Sequence, residues 1–316
     1  MGEQVMRNIH DDVHVVQARG LTKVYGARRV VDGVDLMVRA GEVYGFLGPN
    51  GAGKTTTLRI LLGLVRLSEG TVRVLGHRPG DPRGLIGVGA LVEGPGLYPY
   101  LSGRDNLRVM ARYAGVPMRR VDEVLELVNL TDRAADRFAT YSLGMKQRLG
   151  VAAALLKDPK LLILDEPSNG LDPAGMAEMR RLIRRLGTGE RTVLLSSHQL
   201  AEVEEICDRV GVISQGRMLA EGTVAELRGE GQLMVRADPL PRAREVAERV
   251  LGPQRVSVVD GVLRLRTAPH RAAVVNRALV AADVAVSELR VVERTLEDVF
   301  FELTGGAGQP RVGEER

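Results

Sequence analysis

The chain has no tryptophan and a single cysteine, Cys207. A lone thiol excludes an internal disulfide and suits a reducing compartment. Cys207 falls in Val203-Glu-Glu-Ile-Cys-Asp-Arg-Val210, on a helical packing pattern, and is expected as a small core residue. Apolar runs of the roughly 18 residues that a membrane span needs are missing too. The strongest candidates are cut by Lys157, Asp158 and Asp165. Residues 1–12 carry Glu3, Arg7, Asp11 and Asp12 without an apolar stretch, so they read as a loose tail and not as a secretory leader. Nor is there an excess of one charge: 44 basic against 40 acidic residues leave +4, which gives no argument for nucleic acid as a partner. Lysine is the scarce base, at positions 23, 54, 146, 157 and 160 only, which makes Lys54 stand out.

Lys54 belongs to the stretch Gly48, Pro49, Asn50, Gly51, Ala52, Gly53, Lys54, Thr55, Thr56, which fits the phosphate-binding pattern G-x-x-x-x-G-K-[ST]. Val43-Tyr-Gly-Phe-Leu47 before it reads as a short buried strand, and Thr57 to Leu64 after it has a helical apolar rhythm. A glycine-rich turn between strand and helix aims backbone N–H groups at one point, where the helix dipole also favours an anion. Lys54 is then placed to reach the β- and γ-phosphates, and the Thr55 hydroxyl to ligate Mg²⁺.

At 316 residues the chain has room for about two domains. Val13 to Tyr25 and Val30 to Val38 suggest two strands joined by a turn. Tyr25, at the end of the first, either packs there or stacks on a purine. Thr71 to Leu75 and Ile86 to Val92 are two further strands, separated by Gly76, Pro79, Gly80 and Pro82. Glu93 to Ser102 is too rich in Gly and Pro for regular structure, and a loop of that length is commonly functional. Helical periodicity follows from Gly103 to Leu130, and again from Leu149 to Leu156. Successive helices without strands imply an inserted helical subdomain over about 94–157. Leu161-Leu-Ile-Leu164-Asp165-Glu166 is an apolar strand ending in two acids, the Walker B form. Open α/β sheets bind ligands at the carboxyl ends of their strands, where Gly48 and Asp165 both fall. Pro173 to Leu186 reads as a basic helix, Thr192 to Ser196 as a strand with His198 close behind, and Val210 to Ala220 as a hairpin about Gln215-Gly216.

Residues 232–304 change rhythm to strand, helix, hairpin, helix, strand and a last helix. That βαββαβ order suggests a ferredoxin-like α+β domain. Residues 305–316 are Gly-rich and charged and read as a disordered tail.

A phosphate loop alone admits GTPases, kinases, helicases and transporters. Asp172-Pro-Ala-Gly175 fits a GTPase-like D-x-x-G, but no Asn-Lys-x-Asp base-reading motif occurs. Tyr141-Ser142-Leu143-Gly144-Met145 decides the matter. With it, residues 13–228 resemble the ATP-binding-cassette family in motif order, the pentapeptide standing where that family has Leu-Ser-Gly-Gly-Gln. Leu143 and Met145 depart from the pattern, and Glu93 stands in place of the family's Q-loop glutamine. The Glu93 variant with Ser-Leu-Gly-Met-Lys-Gln-Arg is similar to bacterial bacitracin and lantibiotic self-protection ATPases. The segment Thr295-Leu-Glu-Asp-Val-Phe-Phe-Glu-Leu-Thr-Gly305 is similar to that of daunorubicin-type drug exporters.

The resemblance implies a P-loop nucleotide-binding domain over 13–229, with a RecA-like core, a β subdomain and the helical insert, followed by the accessory domain 232–304. It implies ATP and Mg²⁺ as cofactors, Tyr25 on the adenine, and Mg²⁺ on Thr55, Glu93 and Asp165. Glu166 becomes the group that activates water, His198 the γ-phosphate sensor, and Asp172 part of the D-loop. Ser142 and Gly144 are to act on ATP bound to a second copy, in a head-to-tail dimer. A separately encoded membrane permease, met through Gly94 to Tyr100, places the protein at the cytoplasmic face of a bacterial plasma membrane as the ATPase of an exporter. The alternative is a soluble ATPase without transport, whose C-terminal domain senses a ligand or stabilises a dimer.

Overall fold

The computed structural model describes residues 14–304 apart from 190, 230 and 293. The tails expected at 1–12 and 305–316 lie outside the described residues. The chain divides into two compact units, meeting in sequence between Thr223 and Val224. The short helix Val224–Arg228, within the 13–229 range expected for the first domain, falls in the second unit.

In the first unit the strands pair into two sheets. β1 (His14–Tyr25) and β2 (Arg28–Arg39) form an antiparallel hairpin turning at Gly26, and β4 (Glu69–Val74) pairs on the other edge of β1. The second sheet contains β3 (Val43–Leu47), β5 (Val88–Leu91), β6 (Leu161–Asp165), β7 (Thr192–Ser197), β8 (Arg209–Ser214) and β9 (Arg217–Thr223) in the order β5-β6-β7-β3-β8-β9. Every residue of β3, β6 and β7 is buried, as expected of central parallel strands covered on both faces. Only the edge strand β9 runs antiparallel.

The register of this sheet fixes the site. Leu47 lies opposite Ser197, and Asp165 opposite Ser196, so the carboxyl ends of β3, β7 and β6 finish side by side. Phosphate loop, His198 and the Walker B acids come from distant stretches of sequence. Sheet order alone makes them neighbours.

Gly45, in the middle of β3, shows how tightly helix Leu200–Ile206 lies on this sheet. A Cβ there would stand 2.5 Å from Val203 Cγ1 and 2.9 Å from Cys207 Sγ. Cys207 is a buried thiol whose pKa burial pushes well up, in keeping with a packing role. Gly45→Ala is expected to overpack this contact and cost about 1–3 kcal/mol. Urea unfolding monitored by circular dichroism measures it; a variant as stable as the parent would mean the helix simply shifts outward.

Between β5 and β6 the chain forms helices Gly103–Ala114, Arg119–Leu127 and Leu143–Leu155, with two short 3₁₀ turns between the last two. Ser102 caps the first by accepting from Asp105 N, and Gly115 closes it in the left-handed region, φ 66°. Two expectations need correcting. The stretch Ile86 to Val92 holds a shorter strand, preceded by the helical turn Pro82–Leu85, because Asp81 caps and Pro82 starts a turn. The phosphate-loop helix runs Lys54–Leu61 and not from Thr57, because its first turn is polar and faces the loop.

The second unit forms one antiparallel sheet from β10 (Gln232–Asp238), β11 (Val256–Val259), β12 (Val262–Arg266) and β13 (Ala285–Val292), ordered β11-β12-β10-β13. That order is the ferredoxin-like connectivity. Helices Leu240–Leu251 and Ala272–Ala281 cover one face, with Leu233, Val235, Leu263, Leu265, Val246 and Leu279 in the core. Helix Leu296–Leu303 starts with a capping box between Thr295 and Asp298. Among the described residues no helix is long and apolar enough to cross a membrane.

Candidate nucleotide site

The phosphate loop leaves β3 at Gly48, whose N–H donates to Ser197 O at 3.3 Å. It is held from the other side by the β8–β9 turn, where Gly216 N donates to Ala52 O at 3.0 Å. Gly53 caps the helix at φ 106°, and a Cβ there would meet Val30 O at 2.7 Å, so only glycine fits. No side chain caps this helix. Its first-turn N–H groups and the helix dipole are therefore left to the loop, which is what an anion site requires.

Lys54 is 5% exposed, and its Nζ donates to Gly48 O at 2.6 Å. It also stands 3.0 Å from Glu166 Oε1. That contact is a charge pair, not an aligned hydrogen bond: the buried Oε1 accepts none. The other carboxylate oxygen of Glu166 meets His198 Nδ1 at 2.7 Å and accepts from His198 N at 3.3 Å. Glu166 sits in the left-handed region, φ 49°, at a cost of about 1–2 kcal/mol for an L-residue. Its N–H donates to Ser196 Oγ at 3.0 Å and Ser196 O at 3.2 Å, which offsets part of that strain. The Ser196 hydroxyl in turn donates to Asp165. Lys54, Asp165, Glu166 and His198 thus form one connected group, with the Oε1 oxygen of Glu166 buried against Lys54 and accepting no hydrogen bond.

Hard oxygen donors for Mg²⁺ are present in the Thr55 hydroxyl and the Asp165 carboxylate. The third expected ligand, Glu93, has φ 63°, and its carboxylate pairs with Arg59, in the last turn of the loop helix. Arg59 is five residues past Lys54, about 7.5 Å along the axis. Among the described residues no group of three or more acidic, His or Cys side chains is arranged to hold a metal.

Tyr25 ends β1 47% exposed, with Lys23 Nζ over its ring, 4.6 Å from the centroid. Ser142 caps helix Leu143–Leu155, its Oγ accepting from Met145 N at 3.2 Å, and both Ser142 and Leu143 are exposed. Leu143 reaches over to Gly170, so the signature segment and the segment ending at Asp172 are neighbours. Asp172 itself caps helix Pro173–Leu186 by accepting from Gly175 N at 3.0 Å, which explains the D-x-x-G spacing without a GTPase. In the loop Gly94 to Tyr100, Tyr98 and Tyr100 are 42% and 68% exposed. The buried Asn106 pins this loop by accepting from Tyr98 N at 2.7 Å and donating to Tyr98 O at 3.0 Å. Sequence reasoning passed over Asn106 and the serines at 168, 196 and 197. Only the Ser-Ser pair directly before His198 offered a signal.

A family profile described as ABC transporter matches residues 31–169. The bacitracin transport ATP-binding protein of Bacillus licheniformis is 38% identical over 311 residues, covering 92% of this chain and 98% of its own. The daunorubicin resistance ATP-binding protein of Streptomyces coeruleorubidus is 38% identical over 301 residues, covering 90% and 94%. Among solved structures, the ATP-binding subunit of an ABC transporter superposes with a TM-score of 0.61 at 31% identity, over 68% of this chain and 92% of that one. With the site's geometry and these likenesses together, the chain belongs to the ATP-binding proteins of ABC transporters and is an ATPase of that family.

Proposed function

We propose that this chain powers a bacterial two-component exporter that removes an antibiotic, another drug or an antimicrobial peptide through a separately encoded permease. The observation that carries the chemistry is the convergence of Lys54, Asp165, Glu166 and His198 at the ends of three adjacent strands. The substrate class rests on the relatives, one a bacitracin transport protein and one a daunorubicin resistance protein.

In this reading Lys54 leaves Glu166 to meet the β- and γ-phosphates, with the loop N–H groups of Gly48 to Thr56 around them. Tyr25 stacks on the adenine. Thr55 and Asp165 hold Mg²⁺, which supplies charge neutralisation for the phosphates when bound. Glu93 joins them only if Arg59 releases it. Glu166 takes the proton of the attacking water through the oxygen that Lys54 vacates, and His198 steadies Glu166 and contacts the γ-phosphate. Ser142 and Gly144, on an exposed helix start, serve the site of a second copy, with Asp172 lining the joint. The second unit is a sensor or dimer-stabilising module.

The exposed tyrosines of the Asn106-pinned loop are the contact to the permease, which keeps the protein at the cytoplasmic membrane face. The test is a Tyr98→Asp, Tyr100→Asp double variant co-expressed with the cognate membrane subunit. It should retain the hydrolysis rate of the purified chain while recovery with membranes and drug resistance both fall at least about tenfold, the range of a lost interface anchor. Unchanged resistance in that variant would remove this loop as the contact.

A further inference from the structure

Glu202 lies in the first turn of helix Leu200–Ile206 and is 3% exposed. A carboxyl so far from water must find partners or give up its charge. This one has two partners. Oε1 accepts from the Ser168 hydroxyl, and Oε2 accepts from the Ser197 hydroxyl at 3.2 Å. The serines come from different segments: Ser168 follows Glu166 by two residues, and Ser197 directly precedes His198. Ser197 Oγ also accepts from Gln199 N at 3.0 Å, fixing the backbone on the far side of His198. Burial pushes the Glu202 carboxyl above its usual range, while the two hydroxyls pull it back.

A carboxylate at the third position of a helix is favoured by the dipole alone, and that interaction operates at the solvent-exposed surface as well. That role requires no partners on other segments. Glu202 instead bridges the two segments that carry the water-activating and phosphate-sensing groups. No other described side chain bonds to both of these serines.

We infer that Glu202 is a positioning residue for hydrolysis: through Ser168 and Ser197 its carboxyl clamps the Glu166 segment to the His198 segment and so maintains the hydrogen bond between Glu166 and His198. It touches neither nucleotide nor water. The inference rests on the reading of Glu166 and His198 as the hydrolytic pair. Misplacement by about 1 Å can cost about 10²-fold in rate, so loosening the clamp acts on kcat and spares ATP binding, which the phosphate loop supplies.

The experiment is steady-state ATP hydrolysis by the purified full chain, each variant assayed well below its melting temperature. Ser168→Ala and Ser197→Ala, which leave the buried carboxyl one partner, are expected to lower kcat about 3–10-fold with KM within about twofold. The Ser168→Ala, Ser197→Ala double variant and Glu202→Ala should converge on one larger loss, about 10–100-fold, because each removes the same clamp. Glu202→Gln can accept from one serine and donate to the other, and should recover most of that loss. A melting-temperature drop in Glu202→Ala combined with wild-type kcat in the serine variants overturns the inference, since a helix-end role alone gives that pattern. Glu166→Gln, assayed alongside, separates the two levels. If it stays active, the hydrolytic pair is wrong and the clamp falls with it; if it is inactive and the serine variants are unaffected, only the clamp falls.

Discussion

Glu166→Gln is expected to lower kcat for ATP hydrolysis by about 10²–10⁴-fold, the usual contribution of a positioned general base, while ATP binding is kept. Glutamine holds the hydrogen bond to His198 and nearly the same volume but cannot take a proton from water. The substitution also removes a negative charge 3.0 Å from Lys54 Nζ, so the lysine is released to phosphate and ATP should bind at least as tightly as in the parent. Phosphate release and equilibrium titration with ATP read the two effects separately. Turnover within tenfold of the parent would falsify the role of Glu166, and a parallel loss of binding would point to a collapsed loop instead.

The second large effect concerns sharing of the site between copies. Lys54→Ala and Ser142→Arg are each expected to be nearly inactive alone, the first for want of the phosphate-binding ammonium, the second because a bulky cation blocks the exposed helix start. Mixed in equal amounts, they form dimers of which half are mixed. Each mixed dimer has one site damaged twice and one intact, so about a quarter of parental sites return, as a symmetric two-fold interface requires. Activity that stays at the level of the separate variants would argue that each chain completes its own site.

The parts of the site that depend on local sequence were legible in advance. The phosphate loop combines a pattern with its strand and helix, and the Walker B strand is an apolar run ending in acids; both are written within about ten residues. The βαββαβ order of the second unit was readable for the same reason, since Asp260-Gly261 turns one strand into the next and the helical period ends cleanly at Ala282. What was hidden depends on sheet register or on local competition. Pro82 read as a breaker because proline ends helices, yet behind Asp81 it starts one. That Glu93 pairs with Arg59, 34 residues away, no motif could report. The Glu202 clamp joins residues 34 and 5 positions apart, and no periodicity reports that Ser168 and Ser197 end up on one carboxyl.

The ion pair between Lys54 and Glu166 also sets up a competition over which nucleotide can stay. An incoming nucleotide must draw Lys54 away from a carboxylate in a site where both partners are mostly shielded from water. A triphosphate brings more negative charge to the ammonium than a diphosphate does, and compensates that separation more fully. Once the γ-phosphate leaves, Glu166 can reclaim the lysine. On the proposed reading, the same pair would favour ATP over ADP on entry and promote product release after the reaction, tying nucleotide exchange to the resting contact between the base and the loop.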